Sequence, residues 1–385
     1  MSLVTVSSSV KRAINLSAVL VIFVLILYIL SPAARVAYRL IFPPKDLPNL
    51  AFGRLDKLSF LSKDVKATRV IYTLNTKTGN LPGNLPNKMT VYEYILPGLS
   101  FNAGRKAQTD AERLGYFAKD LITDLKGNNY AWRNSTYGGV LEIEINEGVI
   151  KLNTPMNRLS EQYPAGRLNP TSSKEQAKDL FADLGRFQDP TYVEGEQVVV
   201  LGKWRASELV ETISTLEAQI ARVDFFRELN GYPVLGPDAK KGMLHVYLKQ
   251  EDRGDPALNY PKVEAYYWEI NQESSATYPI ITVAQAWEQV KQGKGVISNV
   301  TSRTQSPFQL YEDVQVDEII VNEIYLAYYD NISPQRHIQP VYVFDGIYSA
   351  TRGEPGNITL YYPAIPAEYI QGTPQNTDGE VSPQE

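Results

Sequence analysis

The residues best suited to chemistry lie near the end of the chain, in the stretch VNEIYLAYYDNISPQRHIQPVYVFDG, residues 321–346. It contains His337, one of only two histidines in the chain, between the aspartates Asp330 and Asp345. An imidazole and a nearby carboxylate are groups that commonly transfer protons in general acid–base catalysis. One hypothesis is therefore a cell-envelope hydrolase that uses Asp330, His337 or Asp345. The alternative is a hairpin whose aspartates cap turns.

The residue types and motifs of the chain do not indicate any other common form of catalysis. There is no cysteine, which excludes disulfides, thiolate nucleophiles and cysteine-based zinc sites. His245 and His337 are far apart and neither belongs to an HExxH pattern, so no metal site is predicted. No G-x-S-x-G elbow occurs, and the GKG at residues 293–295 follows a helical pattern, where glycine ends a helix. We therefore expect no cofactor, and His245 is expected on a strand, opposite Leu244 and Val246.

The aromatic side chains suggest a different use. The chain has 25 tyrosines, several in adjacent pairs, and neighbouring residues of a strand point to opposite faces of a sheet. One ring of a pair can then fill the core while the other lines a surface, where tyrosine favours protein recognition. The predicted binding residues are Tyr267, Trp268, Tyr328, Tyr329 and Tyr342. The alternative is that neighbouring layers cover both faces and bury every ring.

An uncharged apolar run begins at Ile14 and ends at Leu30, directly after Lys11 and Arg12. Such a run is just long enough to cross a bilayer as one helix. One alternative is a buried core helix, although such a helix rarely stays apolar on every side for so long. The other is a cleaved signal peptide, because small residues follow the run, although the run is longer than the apolar segment of most signal peptides. A short leader and a large domain after the run fit a signal-anchor that leaves the C-terminal domain outside the cytoplasm. The predicted location is thus the cell membrane, with a single pass.

The charge balance excludes one class of partner. The first 45 residues contain five basic and no acidic side chains, so the remainder has 33 basic against 43 acidic ones. A domain with this acidic excess repels the phosphate backbone. We expect no nucleic-acid partner.

Short helices are predicted from a shared start signal, the Ser/Thr-x-x-Glu/Gln capping box. Apolar residues follow the boxes at helical spacing. The boxes are Thr109 with Glu112, Ser172 with Glu175, and Thr282 with Gln285. The pattern SELVETISTLEAQIAR, residues 207–222, predicts a longer fourth helix.

Strand patterns occur between these helices. Apolar and acidic residues alternate in VLEIEI before a turn, Asn230-Gly231 is a hairpin signal, and MLHVYLKQ and KVEAYYWEI read as strands. In the stretch 321–346 the connecting loop is predicted at residues 330–339. In the first strand, the alternation predicts Ile324, Leu326 and Tyr328 on one face and Tyr325, Ala327 and Tyr329 on the other. In the second strand, it predicts Val341 and Val343 on one face and Tyr342 and Phe344 on the other.

Helices followed by antiparallel hairpins predict an α+β fold, in which an N-terminal transmembrane helix precedes repeated units of a helix packed on a curved antiparallel sheet. The predicted organisation is a cytoplasmic leader (1–13), the transmembrane helix (14–30), a proline-rich linker (31–50), a first α+β domain (51–170), a second α+β region (171–370) and a disordered tail (371–385).

The second region resembles a known family. A helix opening ITVAQAW, a tyrosine-rich strand and a QPVYVF strand ending in glycine resemble the unit of PepSY-like domains. They are also similar to the membrane-anchored Yyc-type regulators of a cell-wall sensor kinase, and RVDFFRELNGYPVL resembles the middle of such proteins. The resemblance covers about residues 206–365. It implies a single anchor, an extracytoplasmic α+β domain and contact with a protein partner instead of catalysis.

These patterns together predict a membrane-anchored extracytoplasmic protein that binds a protein or cell-envelope ligand and regulates or scaffolds without catalysis. The hydrolase of residues 330–345 is the alternative from a different class. A purely structural envelope protein is the third possibility.

Overall fold

The computed structural model describes residues 47–372, except for residues 68, 97, 99–100, 124–127, 147, 167 and 250–254. The predicted leader, the transmembrane helix and nearly all of the predicted linker and tail therefore lie outside the described residues. Within the described residues, no helix is long and apolar enough to cross a membrane. The described residues from Asn49 onward form one compact unit.

The compact unit is α+β, with few helices and two curved, mainly antiparallel sheets. The α-helices are α1 (Ala103–Arg113), α2 (Pro170–Asp183), α3 (Pro190–Glu194) and α4 (Val283–Gln289), which continues into a π-helical turn (Val290–Lys294). Short 3₁₀ turns lie at Ala118–Asp120, Met156–Arg158, Ser160–Gln162, Pro256–Leu258 and Ala367–Tyr369.

The strands are β1 (Ile71–Leu74), β2 (Lys88–Ile95), β3 (Asn129–Arg133), β4 (Val140–Glu144), β5 (Val149–Asn153), β6 (Gln197–Arg205), β7 (Glu208–Glu211), β8 (Ile220–Phe225), β9 (Arg227–Leu229), β10 (Tyr232–Leu235), β11 (Leu244–Leu248), β12 (Lys262–Tyr266), β13 (Glu269–Pro279), β14 (Val296–Ser302), β15 (Glu318–Tyr329), β16 (His337–Ser349) and β17 (Gly356–Pro363).

Sheet A is eight-stranded and antiparallel, in the order β3-β4-β5-β12-β11-β8-β6-β7. Sheet B is nine-stranded and contains the path β13-β2-β16-β15-β10-β9, with β1 parallel to β15 and β17 between β16 and β14. The chain crosses between the sheets several times, for example from β8 to β9 and from β12 to β13. Both sheets therefore contain strands from either side of residue 170, so the predicted division into domains 51–170 and 171–370 does not separate them.

The predicted hairpin of residues 321–346 is present as β15 paired with β16. Its predicted faces are confirmed, because Ile324, Leu326 and Tyr328 lie in one apolar core while Ala327 and Tyr329 lie in another. The predicted loop is too long, since β16 already begins at His337. His337 is paired with Glu93 of β2, and this third strand extends the pairing beyond the hairpin.

The helix starts differ from their predicted boxes in two cases out of three. Thr282 and Gln285 form the predicted capping box of α4. Thr109 lies inside α1 and donates to the carbonyl of Arg105 four residues earlier. Helix α2 begins after Asn169, whose side chain accepts from the backbone of Thr171, with proline in the first turn. An Asn-Pro start therefore outcompetes the serine three residues later.

The predicted helix of residues 207–222 is wrong. This segment forms β7, a turn and the start of β8. Both strands pair with β6, and every residue of β8 is buried. The backbone pairing and burial offered by sheet A outweigh the helical propensity of the segment.

Candidate functional site: a lysine-lined cleft between the sheets

Four of the five predicted binding residues are buried in the described structure. Trp268, Tyr328, Tyr329 and Tyr342 are each at most 1% exposed. The hydroxyls of the three tyrosines donate to the backbone carbonyls of Thr90, Ser59 and Ile281. The expectation that one ring of a pair reaches the surface is therefore wrong for Tyr328 and Tyr329, because layers cover both faces of sheet B. A binding role for these residues stays a prediction.

Tyr267 is the partly exposed exception. It lies between β12 and β13 and lines an open cavity of about 520 Å³ with Asp189, Glu269, Asn271 and other residues. Tyr267 is therefore the predicted binding residue that a ligand could reach without unfolding.

The three candidate catalytic residues each have separate partners. Asp330 is fully buried and accepts from the Tyr94 hydroxyl at 3.0 Å. His337 packs its ring on Phe52, with 4.7 Å between ring centroids, and burial lowers its pKa. Asp345 accepts from Thr359 at 2.7 Å and pairs with a lysine. These three side chains therefore do not share a contact that would join them into one catalytic site.

Asp330 instead belongs to a closed set of charges, which we call the Arg227 cluster. Arg227 is 2% exposed and pairs with Asp189 at 3.3 Å and with Asp330 at 3.5 Å. Its guanidinium also donates to the backbone carbonyl of Trp268 at 2.6 Å. The rings of Tyr192 and Tyr267 lie within 4.7 and 5.1 Å of the guanidinium carbon. The cluster joins β9 and β15 of sheet B to α3 and to the β12–β13 crossing.

A second set of charges, in which the lysines are partly exposed and Arg222 is buried, forms the walls of a cavity of about 260 Å³ between the sheets. We call it the lysine cleft. Polar and aromatic residues complete its walls, mainly Asn299 and Thr301 of β14 and Phe308 and Tyr311 of the following loop. Its charged lining residues are Lys63, Arg222, Lys240, Lys241, Lys262 and Asp238.

Aromatic rings hold three of these cations in place. The Lys63 ammonium lies 5.3 Å from the ring centroid of Tyr311, and that of Lys262 lies 5.6 Å from Tyr247. Arg222 lies over Phe308. Cation–π contacts of this kind restrict long side chains before any ligand arrives. The positive charges of the cleft are therefore partly pre-organised.

The loop after β14 forms one wall of the cleft and is anchored to sheet A. Arg222 donates to the carbonyl of Pro307 at 2.7 Å, and the backbone N–H of Glu211 donates to Ser306. The ring of Phe308 packs against Gly202 of β6, and a Cβ atom added to Gly202 would lie only 3.0 Å from that ring. Glycine at this position lets the ring lie close to the strand. The wall is thus held by packing as well as by hydrogen bonds.

The loop between β10 and β11 forms the opposite wall. The N–H of Gly242 donates to buried Asp224 at 3.1 Å, and Asp224 also accepts from Arg222 at 2.7 Å. Lys240 pairs with Asp345 at 2.9 Å, while the ammonium of Lys63 is 3.9 Å from Asp238. Lys63 therefore has the longer of these two ion pairs and is the easier of the two to redirect toward a ligand.

A second cavity of about 280 Å³ adjoins the cleft, and the two share Lys63, Asp238 and Lys241 in their walls. It also contains His245 and Glu264, whose Nε2 and Oε2 atoms are 3.5 Å apart. His245 occupies the predicted position on β11, since Leu244 and Val246 fill the core on the other face. It is nevertheless buried.

Glu264 connects the two cavities electrostatically. Lys241 lies 3.2 Å from one of its oxygens and Lys262 lies 3.3 Å from the other. Burial alone would raise the pKa of Glu264, but the proximity of His245 and the charges of Lys241 and Lys262 outweigh burial and lower it. Burial and Lys241 together lower the pKa of His245. Its Nδ1 lies 2.9 Å from the carbonyl of Gly242, which can only accept, so Nδ1 carries a proton.

No pattern in the sequence predicts the lysine cleft. Its cations are spread from Lys63 to Lys262, and they meet only because the two sheets face each other. The one local signal is the adjacent pair Lys240-Lys241 before Gly242, in a loop between two strands. Two neighbouring lysines in a loop are common, so the pair predicts a solvated turn as readily as a site.

No protein-family model and no curated protein matches the chain. Part of the chain is similar to the crystal structure of an uncharacterized protein from Eubacterium rectale, with 12% sequence identity and a TM-score of 0.40. That similarity covers 72% of this chain and 85% of the other.

Proposed function

We propose that the protein is a single-pass, membrane-anchored binding protein whose extracytoplasmic α+β domain recognises an anionic cell-envelope ligand in the lysine cleft and regulates or scaffolds without catalysis. One observation carries this proposal. Four lysines and one arginine line the cavity with the carboxylate of Asp238, and the carboxylates of Asp224, Glu264 and Asp345 pair with the other cations, so five cations face four carboxylates although acidic residues outnumber basic ones in the whole chain. A local excess of cations in an acidic protein favours an anion.

The apolar run of residues 14–30 supports the anchor, because such a run suits a membrane-spanning helix. The resemblance of residues 206–365 to PepSY-like domains supports a role in contact with other molecules. A protein partner at the partly exposed Tyr267 would be compatible with a ligand in the cleft, because Tyr267 does not line the cleft.

The absence of catalysis is also part of the proposal. Asp330 pairs with Arg227 in a closed cluster, which suits a structural carboxylate better than a proton donor for substrate. Hydrolysis of an envelope polymer by the purified protein, with turnover lost in Asp345→Asn or His337→Ala, would overturn this part.

The anion site is tested by calorimetric titration of the full-length protein in nanodiscs with inorganic phosphate and with pyrophosphate. We expect saturable binding that weakens as salt is raised, because ions screen exposed charges. Lys63→Gln should raise the Kd by about two- to fivefold, the effect of losing one partly exposed charge contact.

Lys203→Gln is the matched control for Lys63→Gln. Lys203 also pairs with a carboxylate and its side chain is 29% exposed, against 31% for Lys63, but it does not line the cleft. It should bind phosphate like the wild type. Undetectable binding of both anions, or equal losses in the two variants, contradicts the proposed site.

A further inference from the structure

The second cavity adjoins the lysine cleft and differs from it in chemistry. Its shared wall contributes Lys63, Lys241 and Asp238. Beyond that wall, the cavity is lined by five apolar or aromatic residues, namely Leu61, Pro237, Met243, Tyr266 and Ile332, and also by Ser62, Gly242, His245 and Glu264. A ligand that crosses the shared wall therefore passes from a cationic surface to one with more apolar residues.

The shared wall suits the part of such a ligand at which its anionic group joins its apolar group. Lys63 and Lys241 border both cavities, so their ammonium groups can contact an anionic group from one side while their alkyl stems face the other. The ammonium of Lys241 lies 3.2 Å from Glu264, which restricts this side chain before a ligand binds.

We infer that the ligand is an amphiphilic phosphate monoester, with its phosphate in the lysine cleft and a short aliphatic group in the second cavity. This inference rests on the proposed function, since it specifies the class of ligand for the same cleft. A phosphate monoester carries up to two negative charges, which matches several lysines better than a single carboxylate does.

An inorganic anion would use only half of this surface. It would leave Leu61, Met243 and Ile332 in contact with water, whereas an alkyl group would bury them. Burial of one methylene group is equivalent to about a fourfold gain in affinity when complete, and to less in an open cavity. The affinity for an alkyl phosphate should therefore rise with the length of its alkyl chain.

The test compares inorganic phosphate with ethyl, butyl and hexyl phosphate, titrated into the full-length protein in nanodiscs of uncharged lipid. We expect the Kd to fall by about two- to fourfold for each added methylene group. Lys63→Gln should weaken all four ligands by a similar factor. Leu61→Ser and Ile332→Thr should leave inorganic phosphate unaffected and flatten the dependence on chain length.

Leu216→Ser is the control for these variants, because Leu216 is exposed and lies outside both cavities. It should keep the full dependence on chain length. Phosphatidate added to the nanodisc membrane separates two sources of the ligand: competition with hexyl phosphate assigns the site to a lipid, and its absence to a soluble ester.

Equal affinity for all four phosphates would overturn the inference while leaving the anion site intact. The inference also fails if Leu61→Ser and Ile332→Thr keep the wild-type dependence on chain length. Undetectable binding of every phosphate would instead remove the proposed function itself.

Discussion

The Arg227 cluster and the lysine cleft are two sets of charged side chains in one compact unit. They differ in burial and in the number of carboxylates that pair with each cation. Arg227 is 2% exposed and has two carboxylates, a carbonyl and two aromatic rings around it. The cleft lysines are partly exposed, and two of them, Lys241 and Lys262, share the carboxylate of Glu264. A buried cluster whose cation is paired with two carboxylates stabilises the fold, whereas a partly exposed set in which five cations share four carboxylates retains attraction for a ligand.

The greatest change in stability is expected when the Arg227 cluster is broken. Arg227→Met leaves Asp189 and Asp330 buried without their cation, and such losses cost about 3–5 kcal/mol. The free energy of unfolding, measured with urea, should fall by that amount. Arg205→Met, at an exposed position of β6, should change it by less than about 0.5 kcal/mol.

A loss below about 1 kcal/mol in Arg227→Met would contradict the structural role of the cluster. Adding Asp189→Asn and Asp330→Asn to Arg227→Met should recover part of the loss, because neutral amides are cheaper to bury than unpaired carboxylates.

An intermediate effect is expected at Glu264, which belongs to the partly exposed set but is itself mostly buried. Its pKa is lowered, so its ionised form stabilises the fold above its ordinary pKa of about 4.5, and this stability is lost as the pH falls below that value. Glu264→Gln should therefore lower Tm at pH 7 and flatten the decline of Tm between pH 7 and pH 3. An unchanged acid profile would show that the cleft lysines do not act on this carboxyl.

Stability should change least at Lys63. Its ion pair with Asp238 is long, 3.9 Å, and partly exposed, so Lys63→Gln should change the free energy of unfolding by less than about 0.5 kcal/mol. Phosphate affinity should nevertheless fall. A loss of stability comparable to that of Arg227→Met would erase the distinction between the two sets of charges.

The predictable parts of the fold are those encoded over a few neighbouring residues. The alternation in residues 321–346 predicts both faces of β15 correctly, and Asn230 and Gly231 both adopt the left-handed conformation that their hairpin turn requires. The Thr282 box predicts the start of α4 because no stronger cap competes with it.

The parts that could not be predicted depend on distant residues. The segment 207–222 becomes strands because β6 offers pairing on both sides, which no local pattern shows. The burial of Tyr328 and Tyr329 depends on the layers over both faces of sheet B. The lysine cleft combines residues from both sheets and the loops between them, so its chemistry exists only after folding.

The anion site is tested most directly by a crystal structure of the protein grown or soaked with tungstate, a heavy analogue of phosphate, with the anion located by its anomalous signal. We expect a tungstate in the lysine cleft, in contact with Lys63 and at least one of Lys240, Lys241 and Lys262. Tungstate bound at other surface lysines, with the cleft empty at saturating concentration, would contradict the proposed site.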